Sequence, residues 1–344
     1  MKIAPVKPTI TRKDLESVLD SLINDELTTG NILSHFEASL SELLEIKYSL
    51  ATCSLTSAYH LVFRALDLCD SDEVIIPSFF HQAPLSALSL TGATPVLVDN
   101  EKDSLFPSPE LIRERITEKT RAIIVGHTFG FHFDINSLEG INIPVIEDIS
   151  HAIGTEYDDV PAGSKGSFTV ASFAPSMIIT TGNGGIVMTT NSRHYSVMRD
   201  CRGLNDNSLN YEYSMTDFQS AMGLSQLKNL QDFIRRRREI AGIYYDALRI
   251  TAHKTPLQYS DTGAYQSFPV IFSGPSDRLT RHFKKAGVNI FRPVPVPLHS
   301  MLGMKGLDFP NSERMSKKLY TLPIYPSLTK KDIESVSKAV SSFI

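Results

Sequence analysis

Acidic residues close two apolar runs of this chain. Val145-Ile-Glu147-Asp148 ends in a carboxylate pair, and the run Thr94 to Val98 is followed by Asp99. Acidic groups just past a strand fall where open α/β sheets put their ligands. Metal chemistry is not indicated: the ten histidines are dispersed, and none forms a ligand pair with another histidine or a carboxylate. The three cysteines, Cys53, Cys69 and Cys201, are scattered and form no Cys-x-x-Cys. A disulfide framework is not expected, and a reducing, cytoplasmic setting is. Arg235-Arg-Arg-Arg238 reads as the solvated face of a helix, since arginine is a good helix former and Glu239 follows. The competing reading is a patch for phosphate or an acidic partner. Met301, Met304 and Met315 read as core filler.

The elements that position the acids alternate. Helical spacing predicts helices over Thr11 to Asp20, Ile32 to Leu44 and Ala58 to Leu68. Strands are expected at Glu73 to Pro77, Thr94 to Val98, Arg121 to Val125 and Ile143 to Ile146, with helices at Ala83 to Leu90 and Pro109 to Ile116 between them. Two further strands fit Phe168 to Phe173 and Ile186 to Thr190, and one long helix fits Thr216 to Leu248. Strand–helix alternation at this spacing predicts an α/β fold: a mostly parallel sheet flanked by helices. Beyond Ala252 come strands at Ser267 to Phe272 and Val288 to Phe291, with helices at Asp277 to Ala286 and Lys330 to Phe343. The expected division is a large domain over 1–249 and a small C-terminal α/β domain over 250–344.

With 344 residues, the chain has room for about two domains at roughly 150 residues each. Hydrophobic residues are 42% and charged residues 21%, which excludes disorder, collagen and coiled coil as the main architecture. A net charge of −4 gives no footprint for nucleic acid. Met1-Lys-Ile-Ala-Pro5 lacks an apolar core, so no signal peptide is expected. The uncharged stretch Ser167 to Ser192 is interrupted by Pro175 and by Gly182-Asn-Gly-Gly185, so no membrane span is expected either.

Seven segments, taken in order, carry a resemblance. They are Asp72-Glu-Val-Ile-Ile-Pro-Ser78, Gly92-Ala-Thr-Pro-Val-Leu-Val-Asp99, Ile116-Thr-Glu-Lys-Thr-Arg-Ala-Ile123 and His127-Thr-Phe-Gly130. Then follow Val145-Ile-Glu-Asp148 with His151-Ala152, Thr180-Thr-Gly-Asn-Gly-Gly185, and Met215-Thr-Asp-Phe-Gln219 with Gly223-Leu-Ser-Gln-Leu227. Order and spacing resemble the DegT/StrS family of sugar aminotransferases over nearly the whole chain. The resemblance implies the aspartate-aminotransferase-type fold, a dimer, and pyridoxal phosphate or pyridoxamine phosphate as cofactor. It places Asp148 against the cofactor's pyridinium nitrogen, Thr56, Ser57 and Ser172 at its phosphate, and His81 at the position of the stacking aromatic. The competing reading of Asp148 is a cap on the loop after its strand. His151 resembles either a residue near the ring or a satisfied second-layer histidine. Arg292 and His299 resemble residues on the sugar-nucleotide side, or domain-interface packing.

The chain departs from the family pattern where the chemistry sits. In Ser172-Phe-Ala-Pro-Ser-Met-Ile-Ile-Thr-Thr-Gly182, the place of the family's Schiff-base lysine is taken by Met177, and no lysine occurs between Lys165 and Lys228. A thioether forms no imine and carries no titratable proton. The family's glycine in the phosphate turn is Leu55, expected to be strained if the position needs a positive φ. Glu212 stands for an asparagine that meets the phosphate from the partner subunit, and Ser214 for an arginine. The expectation is a family protein without covalent pyridoxal-phosphate chemistry. It would bind a nucleotide-sugar or a partner in surface-polysaccharide or deoxysugar biosynthesis, as a homodimer or a heterodimer with an active paralogue. The alternative is an active aminotransferase or dehydratase that uses a non-lysine base, His151 or His127. A third reading, an ordinary aminotransferase altered only at Met177, sits poorly with Leu55 and Glu212.

Overall fold

Apolar side chains along the central strands alternate between two packed faces. Val74 and Ile76 face one cluster and Ile75 another, and Ala122 and Ile124 are likewise opposed to Ile123 and Val125. A sheet covered on both faces reads in sequence as unbroken β-branched runs. The computed structural model, which describes residues 2–24, 26–203, 210–256 and 258–343, has that arrangement. Its strands are β1 (Tyr48–Thr52), β2 (Glu73–Pro77), β3 (Thr94–Val98), β4 (Thr120–Gly126) and β5 (Val145–Asp148). A two-residue ribbon, β6 (Glu156–Tyr157) with β7 (Val160–Pro161), precedes β8 (Phe168–Ser172) and β9 (Gly185–Thr189). Seven strands form one sheet in the order β1-β9-β8-β5-β4-β2-β3. Pairing is parallel from β8 through β5, β4 and β2 to β3, and antiparallel at β8–β9 and β9–β1.

The helices are α1 (Arg12–Ile23), α2 (Asn31–Leu44), α3 (Leu55–Ala65), α4 (Ala83–Leu88), α5 (Pro109–Glu114) and α6 (Ser192–Arg202), then α7 (Asp217–Lys228) and α8 (Leu230–Arg249). Thr11 caps α1 with a reciprocal bond to Asp14. The single helix expected over Thr216 to Leu248 is two helices. Asn229 ends α7 and starts α8, and its side-chain amide donates to Ser225 O. Apolar periodicity runs through the break, which is why the sequence concealed it.

The C-terminal part pairs β10 (Phe268–Ile271) with β11 (Leu319–Leu322), flanked by α9 (Ser276–Lys285), α10 (Leu298–Met301), α11 (Pro310–Lys318) and α12 (Lys330–Ser341). The strand expected at Val288 to Phe291 is not one: Val288 bridges only Ile3, and Phe291 bridges Thr321. The second strand is instead β11. Its core joins Phe268, Phe272 and Phe283 to Ile240, Tyr244 and Leu248 of α8, and to Ile3. The expected boundary at 249/250 thus falls at the end of α8, and the second core draws on residues from both sides of it. No helix among the described residues is long and apolar enough to cross a membrane.

Candidate functional site

Four loops at the carboxyl ends of parallel strands, with two segments of the C-terminal part, enclose a cavity of about 220 Å³. The loop after β2 brings His81, that after β4 brings Phe129, that after β5 brings His151 beside Asp148, and that after β8 brings Met177. Gln266 and Phe291 close the cavity from the C-terminal part. Gly126 permits the loop packing: a Cβ there would lie 2.3 Å from the Phe80 ring.

Asp148 is 3% exposed and fully engaged. Its Oδ2 accepts from Tyr59 Oη and from His81 Nε2, both at 2.8 Å, and its Oδ1 accepts from Ser150 N–H at 2.8 Å. Burial pushes this carboxyl up. The His81 charge and hydrogen bond, with the hydrogen bonds of Ser150, outweigh burial and hold it at about 2. Asp148 is therefore ionised at neutral pH, and His81 carries its hydrogen on Nε2. Among the described residues His81 Nδ1 has no hydrogen-bond partner, and the side chain is 32% exposed.

The other two histidines are tied in different ways. His127 is 1% exposed, accepts from Phe133 N–H at Nδ1 (3.3 Å), and donates from Nε2 to Glu147 (2.8 Å). Glu147 also receives the amides of Gly163, Lys165 and Gly166, so it anchors that loop. With both ring nitrogens used, His127 is not available as a base in this geometry. His151 lies parallel to Phe129 with ring centres 5.7 Å apart, and its Nδ1 accepts from Phe129 N–H at 3.1 Å. Its remaining hydrogen is then on Nε2, which makes that atom a donor. Burial holds the imidazole at about 4, opposed by Asp148 and reinforced by His81.

That shift has a sign. A histidine held below its unfolded value favours the folded state when neutral, so its contribution is present above about pH 6.5 and lost as pH falls toward 4. For His151 this is of order 3 kcal/mol. His132, also held at about 4 by burial and then by His127, acts in the same direction. Urea unfolding at pH 7 and pH 4.5 should show a clear loss of stability at the lower pH, and His151→Gln should flatten it. An equal slope in that variant would remove His151 as the source.

The residues expected around a cofactor phosphate do not share this cavity. Thr56, Ser57 and Ser172 are absent from its walls. Ser57 N–H donates to the Ser54 cap, the two hydroxyls meet at 2.8 Å, and Ser172 Oγ accepts from Ala174 N–H. Leu55 is the first residue of α3, with no positive φ, so the strain expected there is absent. Its side chain packs on the core. Glu212 is exposed with φ 51°, and Ser214 Oγ is buried without a hydrogen-bond partner among the described residues.

Pyridoxal phosphate held in this family's manner needs an amine, a carboxylate free for its ring nitrogen, and free donors for its phosphate. The cavity walls hold no lysine, the Asp148 oxygen nearest His81 already takes two hydrogen bonds, and Ser57 is capped. The residues present do not fit the group as a covalently held cofactor. Among the described residues no cluster suits a metal ion.

Two contacts at this site, those of Tyr59 and Gln266, were not foreseen. Tyr59 reads as helix core in sequence, yet its hydroxyl ends on Asp148. Gln266 donates to Ser176 O at 2.7 Å and so holds the Met177 loop. His299 is fully buried between Ser78 Oγ (2.6 Å) and Glu313 (3.0 Å), which settles it as packing between the two parts of the chain. Arg292 is exposed, and its neighbours Phe291 and Pro293 line the cavity instead. The expected solvated face at Arg235 to Arg238 holds for Arg235. Arg237 is instead 4% exposed and Arg238 donates to backbone carbonyls.

Comparison with known proteins agrees with this fold. The chain is 30% identical over 361 residues to GDP-perosamine synthase of Escherichia coli O157:H7, covering 100% of this chain and 99% of that protein. TlmJ, an aminotransferase of Streptoalloteichus hindustanus, superposes with a TM-score of 0.92 at 25% identity, covering 99% and 98% of the two chains. Spr1654 of Streptococcus pneumoniae, described as a sugar aminotransferase, superposes in its pyridoxal-phosphate form with a TM-score of 0.91 at 24% identity, covering 99% and 98%. It is also solved in a pyridoxamine-phosphate form. The DegT/DnrJ/EryC1/StrS aminotransferase family model matches residues 8–341, and the chain belongs to that family.

Proposed function

We propose that this chain is a sugar-binding member of its family that no longer performs covalent pyridoxal-phosphate chemistry. The observation that carries this reading is the state of Asp148: its Oδ2 already takes hydrogen bonds from His81 and Tyr59, and the cavity it shares with Met177 has no lysine in its walls. The ligand class is a nucleotide-sugar, and its support is the sugar chemistry named in the relatives, GDP-perosamine synthase among them. The chain would act in surface-polysaccharide or deoxysugar biosynthesis. It would pair with a second copy or an active paralogue through the apolar side chains that α1 leaves exposed, Leu15, Leu19 and Ile23. A chain that runs as a monomer in light scattering, alone and with such a paralogue, would remove that part.

The reading with His151 as replacement base gains no support, because its Nδ1 is engaged and its Nε2 carries hydrogen. Titration with pyridoxal phosphate and pyridoxamine phosphate, read by calorimetry and absorbance, should show no saturable binding up to millimolar cofactor. Met177→Lys should not restore aminotransfer, since the Asp148 and Ser57 contacts remain. Saturable binding to the native chain, or strong aminotransferase activity from that one substitution, would overturn the proposal.

A further inference from the structure

We propose that His81 and Asp148 form a cofactor-independent general base, with His151 as a hydrogen-bond donor in the same cavity, acting on a small carbonyl compound that bears a hydrogen on the carbon next to its C=O. The inference rests on the reading that no pyridoxal phosphate occupies the cavity, and it goes beyond binding to name a reaction. Its first support is the arrangement around Asp148. A buried, ionised carboxylate takes the Nε2 hydrogen of His81 at 2.8 Å, which leaves the lone pair on Nδ1 of a side chain that lines the cavity. A carboxylate that fixes the tautomer of a histidine and stabilises its protonated form is the arrangement that makes imidazole an effective base.

The second support is His151. Its Nδ1 is held by Phe129 N–H, so its Nε2 presents hydrogen, and it lines the same cavity. Asp148, His81 and His151 all line this cavity, and His81 is hydrogen-bonded to Asp148. A base beside a neutral imidazole donor is a pairing suited to enolisation, because the donor stabilises oxygen as charge develops there without surrendering a full proton. The walls contributed by Phe79, Phe80, Phe129, Phe291 and Val294 are apolar and limit competition from water.

The step balances without an oxidant or reductant. His81 Nδ1 takes the proton as the C–H bond breaks. That electron pair becomes the C=C of an enolate, and the C=O pair moves to oxygen, which is held by His151 Nε2–H. Return of a proton from His81 to the same carbon restores the ketone, with its hydrogen exchanged for solvent. On the sugar-binding reading the natural substrate class is a keto-sugar.

The test uses the full chain without added cofactor and dihydroxyacetone as probe, in D2O, with loss of the methylene proton signals followed by NMR. Exchange should run at least ~100-fold faster with the native chain than with His81→Phe, a variant that keeps a ring on Phe80. Ring packing there is close, with centres 4.2 Å apart, and thermal melts check that the variant folds. His151→Phe should lose the rate, and His151→Gln, which keeps an N–H donor, should recover part of it. Asp148→Asn, at a positioning residue, should lower kcat with KM for dihydroxyacetone unchanged. Exchange no faster than with His81→Phe, with or without pyridoxal phosphate, overturns the base and leaves the cofactor-free reading standing. Exchange that begins only when pyridoxal phosphate is added overturns both.

Discussion

Asp148→Asn is expected to cost about 2–3 kcal/mol of folding stability at pH 7, the range for hydrogen bonds to a buried charged acceptor. The carboxylate accepts three hydrogen bonds, from Tyr59, His81 and Ser150. An amide of the same shape has one accepting oxygen and one donating nitrogen. With its oxygen toward Tyr59 and His81 its N–H group faces Ser150 N–H, and turned the other way it requires Tyr59 and His81, donors in the native site, to accept instead. Buried donors left unpaired are the larger part of the cost. The effect is pH-dependent in a stated direction. Asp148 is held at about 2, below its unfolded value near 3.8, so its contribution is present above about pH 4 and is lost as pH falls through 2. Urea midpoints of the native chain and the variant should therefore stay apart from pH 7 to about 4 and converge below that. A gap under about 1 kcal/mol at pH 7 would mean that the three contacts do not hold the carboxylate as described.

Much of the frame was legible because its signals are local. Runs such as Val74-Ile-Ile76 and Ala122-Ile-Ile-Val125 identify strands buried on both faces, and the cap at Thr11 identifies a helix start. Where the pattern misled, a local signal was missing. No periodicity marks the break at Asn229, and Val288 to Phe291 has strand-like residues whose partners are single bridges. The site was legible by family order rather than by chemistry. Asp148, His81, His151 and Met177 do line one cavity, whereas Thr56, Ser57 and Ser172 do not. The contact that matters most, His81 on Asp148, joins residues 67 apart in sequence. It depends on the carboxyl ends of β2 and β5 lying on either side of β4, and no spacing rule encodes that.

Arg237→Leu should cost a further 3–5 kcal/mol, while its neighbour Arg238→Ala should cost about 1 kcal/mol or less. The two arginines are adjacent in sequence and differ in burial. Arg237 Nη1 donates to the carbonyls of Gln266 (2.9 Å), Tyr265 (3.3 Å) and Ile324 (3.3 Å), and no carboxylate pairs with it among the described residues. Burial lowers its pKa to about 10, which still leaves it charged at neutral pH. Its charge is balanced by backbone dipoles alone, and those carbonyls have the guanidinium as a shared donor. Leucine would fill much of the volume and leave the three oxygens unpaired in an apolar setting. Lysine supplies a single point of donation, so Arg237→Lys should fall between the two. The consequence reaches the cavity. The turn that Arg237 and Arg238 hold places Tyr265 at a φ of 47°, and its next residue, Gln266, fixes the Met177 loop through Ser176 O. Chemical denaturation gives the energies, and amide exchange over residues 174–179 reports the loop. Loss of protection there in Arg237→Leu, with the central strand β4 still protected, would show that a buried arginine on α8 sets the shape of a cavity to which it contributes no wall.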